Sequence, residues 1–136
     1  MKIPRLGKNR SVKLEMDFTL TLPNASGRFG YTDSGVNLGN WYPIVCGYDG
    51  GFVKNPYYAT GDPFFSETAL YEVSITLPQE YTLATTGVIT QKDQSNALKT
   101  VWNIKADNVR DFACVFSADY KLLSEQVGDT LSLIHI

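Results

Sequence analysis

Val12-Lys13-Leu14-Glu15-Met16-Asp17-Phe18-Thr19-Leu20-Thr21-Leu22 alternates apolar and polar side chains without interruption. Successive side chains of an extended backbone point to opposite faces. This run therefore places Val12, Leu14, Met16, Phe18, Leu20 and Leu22 on one side and its charges on the other. A helix would scatter the same apolar residues around its axis. The stretch reads as a strand with one face on a core and one in water. Pro23-Asn24-Ala25-Ser26-Gly27 ends it with turn chemistry.

The same period recurs at 69–77. There Ala69, Tyr71, Val73, Ile75 and Leu77 share a face and Glu72, Ser74 and Thr76 take the other, with Leu70 as the exception. Pro78-Gln79-Glu80 is the turn that follows. Shorter strands are expected at 81–86 and 88–91 around Gly87, with 92–96 as a polar turn. Residues 99–105 set Val101 beside Trp102 without a clean face, as a strand buried on both sides would. Another near-continuous apolar run covers 111–117, and 120–127 is ambiguous between strand and loop.

Between Arg28 and Pro63 the chain is dense in Gly, Tyr, Asn and Asp. Tyr48-Asp49-Gly50-Gly51-Phe52 sets Asp-Gly between aromatics, a tight-hairpin signal with flanking strands expected at 41–48 and 52–54. Asn55-Pro56 and Asp62-Pro63 interrupt any longer ladder. No long amphipathic helix and no internal repeat are evident. Short strands at regular spacing with turns between them indicate an all-β domain, a β-sandwich or saddle-like stack of mostly antiparallel sheets.

Composition fits this reading. Of 136 residues, 43% are hydrophobic and 19% charged, which is globular and not disordered. The length suits one domain. A net charge of -2 with scattered basic residues leaves no electrostatic footprint for nucleic acid. Only Lys2, Arg5, Lys8 and Arg10 cluster, and a solvated terminal segment accounts for them. No stretch reaches the roughly 18 apolar residues that span a bilayer, and residues 1–10 have no signal-peptide core. Cys46 and Cys114 lie in apolar runs and read as small buried hydrophobes, with a single disulfide as the alternative.

The chemistry of the chain is defined by what its side chains can supply. The one histidine is His135. A hydrolytic zinc site needs His and carboxylate ligands at tight spacing, such as H-E-x-x-H, and a nucleophilic triad needs a supported His. Neither is present. Asp49, Asp62, Glu67 and Glu72 lie in or near the aromatic region, but spacing alone brings no two of them to glycosidase separation. Asp49-Gly50-Gly51 has no following Lys-Ser or helix start and is a turn, not a phosphate cradle. Trp41, Tyr42, Tyr48, Phe52, Tyr57, Tyr58, Phe64 and Phe65 form a cluster in sequence. Exposed, such rings would stack on sugars or cap a peptide pocket. Packed, they are core.

Several blocks in a fixed order carry a resemblance. They are Asn37-Leu38-Gly39-Asn40-Trp41-Tyr42-Pro43-Ile44, Tyr48-Asp49-Gly50-Gly51, and Asn55-Pro56-Tyr57-Tyr58-Ala59-Thr60-Gly61-Asp62-Pro63-Phe64-Phe65-Ser66-Glu67. Tyr71-Glu72-Val73-Ser74-Ile75-Thr76-Leu77-Pro78, Thr85-Thr86-Gly87 and Asn108-Val109-Arg110-Asp111-Phe112-Ala113 follow. Together they resemble the N-terminal β domain of bacterial aminopeptidase-N-type zinc metallopeptidases, the gluzincin family, in its clostridial, often cell-envelope-associated branch. The resemblance covers about 3–129.

That resemblance implies a noncatalytic, saddle-shaped domain that packs on a thermolysin-like catalytic domain of the same polypeptide and walls its cleft. The catalytic domain supplies H-E-x-x-H, a distal Glu ligand and G-x-M-E-N for the free amino end of a peptide substrate. None of these is in this chain, so zinc is implied for the parent and no cofactor for the chain itself. Many members lend the pocket a Gln or Glu just before a Pro-containing turn. Here the nearest region is Asn40-Trp41-Tyr42-Pro43, without either, and Asn40, Trp41 and Tyr42 are the substrate-pocket candidates. On the same comparison the chain begins partway through the β domain, leaving an incomplete domain over 1–129 that is expected to be poorly soluble alone. Leu131-Ser132-Leu133-Ile134-His135-Ile136 resembles a translated sequencing adapter, so 130–136 is expected to be a non-native tail, with an apolar C-terminal strand as the alternative.

Overall fold

The computed structural model describes residues 7, 10–56, 58–61 and 65–135. Every regular element among them is a β-strand. In chain order these are β1 (Phe29–Thr32), β2 (Gly35–Leu38), β3 (Ala69–Pro78), β4 (Thr82–Thr85), β5 (Val88–Asn96), β6 (Lys99–Val109), β7 (Cys114–Ser117), β8 (Leu122–Val127) and β9 (Thr130–His135). They form a four-stranded sheet β1-β2-β7-β4, a three-stranded sheet β3-β6-β5 and the hairpin β8-β9. Every pairing is antiparallel.

The core lies where the two sheets face each other. β3 points Tyr71, Val73, Ile75 and Leu77 inward, opposite Ala106, Ile104, Trp102 and Thr100 of β6. β4 and β7 bring Leu83 and Cys114 from the other sheet, and Phe112 fills the space between. Phe112 is 0% exposed and Ile104 1%. Burying a side chain of that size is worth about 1.5–3 kcal/mol. The inward row of β3 matches the alternation of its sequence.

β6 departs from the expectation of a strand buried on both sides. Thr100, Trp102, Ile104 and Ala106 are buried, whereas Val101 and Asn103 are half-buried and Lys105 is exposed. Val101 lies on the outer face between Thr76 and Asp93, and Thr100 takes the inward place. β5 also runs longer than expected, through 92–96, and turns at Ala97-Leu98, where Asn96 Oδ1 accepts the Leu98 N–H at 2.8 Å. It is an edge strand exposed at every residue. Its polar side chains therefore carry no desolvation cost. Bulges between Ile89 and Gln91 and between Asp93 and Asn96 keep that edge irregular. Lys92 lies 4.4 Å over the Trp102 ring and covers its solvent side.

The chain crosses between sheets at three short links. Pro78-Gln79-Glu80 leads from β3 to β4, as its turn chemistry suggests. Thr86-Gly87 leads back to β5. Gly87 has φ +87°, and a Cβ there would meet the Lys105 carbonyl oxygen at 2.4 Å, so only glycine fits without displacement. Residues 110–113 then carry β6 into β7.

The strongest sequence expectation is not met. Residues 12–22 pair with no described strand and have no assigned strand structure. Their apolar row is open to solvent, with Met16 54% and Phe18 46% exposed. Lys13 and Glu15 form an ion pair there, and the Phe18 ring lies 6.5 Å from that of Trp41. Alternation fixes which side chains share a face, but the backbone N–H and C=O groups of a strand need a neighbour, and no described segment offers one.

Strands at 41–48 and 52–54 are likewise absent. The tight turn at Asp49-Gly50-Gly51 is present, with Gly50 at φ +62°, but only an isolated bridge joins Tyr48 to Phe52. Asn40 adopts φ +51° and Pro43 offers no N–H, so no ladder extends through this segment. The strands of the glycine-rich region lie earlier, at β1 and β2, around the two-residue turn Asp33-Ser34. There the Thr32 and Ser34 hydroxyls are 2.8 Å apart.

The ambiguous 120–127 stretch contains β8. It pairs with β9 through Gly128-Asp129, Gly128 at φ +58°, in register from Leu122↔His135 to Val127↔Thr130. Among the described residues no helix is long and apolar enough to cross a membrane.

Candidate functional site

The three pocket candidates Asn40, Trp41 and Tyr42 converge, but on the chain itself. All three reach the link between β6 and β7. Asn40 donates from Nδ2 to Asp111 Oδ2 at 2.8 Å, and its backbone N–H reaches the same oxygen at 3.3 Å. The indole Nε1–H of Trp41 donates to the Phe112 carbonyl at 3.0 Å. The Tyr42 hydroxyl donates to Asp111 Oδ1 at 3.1 Å and accepts the Phe112 N–H at 3.0 Å. That N–H also reaches Asp111 Oδ1 at 2.8 Å. One carboxylate thus gathers a side-chain amide, a phenol and two backbone donors.

The local sequence explains why. The left-handed turn at Asn40 aims its amide and backbone N–H the same way, a conformation Asn tolerates better than most residues. Trp41 and Tyr42 follow with their rings edge to face at 5.4 Å. Tyr42 meets Tyr71 of β3 edge to face at 5.7 Å, and Tyr71 lies 6.0 Å from Phe112. Burial, and after it the hydrogen bond to Tyr71, pushes the Tyr42 phenol far above its ordinary range, so it stays protonated and keeps donating.

Flanking contacts enlarge this clasp. The Ser66 hydroxyl and the Tyr71 hydroxyl both donate to the Arg110 carbonyl, at 3.1 and 3.3 Å. The Arg110 guanidinium donates back to the Ser66 carbonyl at 2.8 Å and lies 6.0 Å over the Phe65 ring. On the far side Thr86 Oγ1 accepts the Ala113 N–H at 3.2 Å, and the Thr86 N–H donates to the Ala113 carbonyl at 2.9 Å. Sequence reasoning singled out Asn40, Trp41 and Tyr42 but not their shared acceptor. Asp111 stood in one of the ordered blocks, and nothing in its spacing pointed across to Asn40.

The aromatic cluster divides. Trp41 and Tyr42 pack against the core. Tyr48 is 65% exposed and meets Phe52 edge to face at 5.5 Å. Tyr58 and Phe65 are also exposed. Tyr57 and Phe64 lie outside the described residues, as do Asp62 and the start of the chain with Lys2, Arg5 and Lys8. Among the described residues three clefts open beside Tyr42, the first of 780 Å³ against residues 14–18 and Pro43. A second, of 340 Å³, is bounded by Tyr42, Ile44, Val53 and Phe65. Another, of 410 Å³, runs beneath the Tyr48–Phe52 pair toward Tyr71.

The remaining chemistry-bearing groups are separate. Asp49 sits in its exposed turn. Glu72 pairs with Lys105 at 2.7 Å on the outer face of the sheet, which holds its carboxyl below the usual range through that hydrogen bond and the lysine charge. Cys46 is half-buried, Cys114 is buried, and the two thiols are not bonded to each other. Burial pushes the Cys114 thiol up to about 11. Among the described residues no three His, Cys, Asp or Glu side chains converge to hold a metal ion.

A scan against protein-family models finds no match to this chain, and neither do searches of curated proteins and of solved structures.

Proposed function

We propose that the chain serves as a noncatalytic β domain of an aminopeptidase-N-type zinc peptidase, packing beside a separate catalytic domain and walling its cleft. The observation that carries the reading is the meeting of two of the ordered blocks. Asn40-Trp41-Tyr42 and Arg110-Asp111-Phe112-Ala113 are about seventy residues apart, yet they close on one another through Asp111. The antiparallel two-sheet architecture agrees with the same reading. In it, the zinc ligands, the general base and the anchor for the substrate's amino end belong to the catalytic domain, and peptide is the substrate of the whole enzyme. Asn40, Trp41 and Tyr42 act as supports for the wall, since their polar groups are spent on Asp111 and Phe112.

The test is to read the gene on both sides of this segment and express the full polypeptide. An H-E-x-x-H motif downstream, with zinc-dependent release of an N-terminal residue from an aminoacyl anilide, is the expected result. A continuous reading frame without that motif, or stoichiometric zinc on this chain alone, refutes the proposal.

A second reading is a stand-alone module that binds carbohydrate or peptide. The exposed, edge-to-face Tyr48–Phe52 pair favours it. Saturable binding of an oligosaccharide or peptide by this chain alone, abolished by Tyr48→Ala, would separate it from the first.

A further inference from the structure

The 340 Å³ cleft beside Tyr42 combines apolar walls with a cationic side chain. Its volume is at the lower end of the roughly 300–1,000 Å³ typical of ligand pockets. Tyr42, Ile44, Val53 and Phe65 form its apolar walls. The walls are fixed from behind. Tyr42 is held by Asp111 and Phe112, and the Gly47 N–H bonds the Phe65 carbonyl at 2.8 Å. Gly47 itself has no room for a side chain, because a Cβ there would collide with the Phe65 ring.

Its electrostatics are one-sided. Among the described residues that line it, Lys54 carries the only charged side chain, although the chain as a whole is acidic. Asp111 keeps its charge behind Asn40 and Tyr42, and the Arg110 guanidinium offsets it, donating to the Ser66 carbonyl and lying 6.0 Å over the Phe65 ring. A cleft with apolar walls and one cation among its lining side chains is complementary to a small apolar acid.

We infer that this cleft binds a monocarboxylate with a compact aromatic or branched apolar body, the body between Ile44, Val53 and Phe65 and the carboxylate toward Lys54. The inference is independent of both readings above. It concerns a cleft lined by this chain's own residues and needs neither a catalytic domain nor the exposed Tyr48–Phe52 pair.

The experiment is a ¹H–¹⁵N titration of the whole chain with 4-phenylbutyrate and, separately, with the uncharged 4-phenyl-1-butanol. Saturable shifts are expected at the Ile44, Val53 and Phe65 amides, with the acid binding about fivefold tighter than the alcohol at low salt. High salt should shrink that preference. Lys54→Ala, an exposed position, should abolish the preference and leave alcohol binding in place. Cys46 lines the same cleft with a free thiol, so the acid should also slow its reaction with a disulfide reagent. Shifts that do not saturate or that map elsewhere overturn the proposal. So do equal affinities for acid and alcohol, a preference that survives Lys54→Ala, or a Cys46 rate indifferent to ligand.

Discussion

β3 and residues 12–22 carry the same pattern and meet opposite ends. Both alternate apolar and polar residues, over nine positions at 69–77 and eleven at 12–22. β3 lies against β6 through nearly its whole length and sends Tyr71, Val73, Ile75 and Leu77 into the core. The 12–22 stretch leaves Val12, Leu14, Met16, Phe18 and Leu20 exposed and joins no sheet. An amphipathic alternation states what a strand would bury. It does not supply the neighbour whose N–H and C=O groups complete it. In β3 the partner comes from β6, which is itself made locally through the Ala97-Leu98 turn to β5.

Substitutions can break this contrast, and the largest effect belongs to the core. Phe112→Ala should cost about 3–5 kcal/mol, while Leu14→Ala in the open stretch should stay within about 0.5 kcal/mol. Urea unfolding of the two variants measures both, and equal losses would erase the distinction. Next is the clasp. Asp111→Ala leaves the Asn40 amide, the Tyr42 hydroxyl and the Phe112 N–H short of an acceptor and should cost about 2 kcal/mol. Asp111→Asn should recover part of that loss.

A smaller effect comes from the buried thiol. The folded Cys114 thiol titrates near 11, above the 9.0 of an ordinary thiol, so folding favours its protonated form. Its contribution is complete below pH 9 and is lost as pH rises from there through 11. Stability measured at pH 8 and 10.5 should therefore fall more in the parent than in Cys114→Ala. An identical fall would remove the thiol as the cause. The smallest change in stability is expected where the open row is made polar. Leu14→Lys with Met16→Lys should leave the unfolding midpoint in place yet raise the soluble yield, because it removes an exposed apolar strip. A lowered midpoint would mean that the row is packed in solution.

These contrasts also explain how much could be read from the amino acids. The all-β class, β3, the turn at Pro78, β4 and the Asp49-Gly50 turn follow from local chemistry and are found where that chemistry puts them. β6 is legible as a strand but its facing is not, because Val101 and Trp102 are both apolar, whereas facing is decided by register with Thr76 and Ile75. β5 was cut short because a polar stretch resembles a turn, although an uncovered edge accepts Gln91, Lys92 and Asp93 freely. β1 and β2 escaped because their glycines and short length leave little period to count. At the site, Asn40, Trp41 and Tyr42 were visible as an unusual string. Their role was not, because it depends on a carboxylate far along the chain.

The separation of that carboxylate has a kinetic corollary. The β5–β6 hairpin closes over two residues, whereas the Asn40–Asp111 contact closes over 71. Loop closure grows costly only slowly with length, but a distant contact cannot form until intervening strands have shortened the path. The latch between Asn40 and Asp111 should therefore set late, after the rate-limiting barrier. Weakening it should hasten unfolding in stopped-flow traces and leave the refolding arm nearly unmoved. The molecule would then owe its lifetime, more than its speed of assembly, to one aspartate.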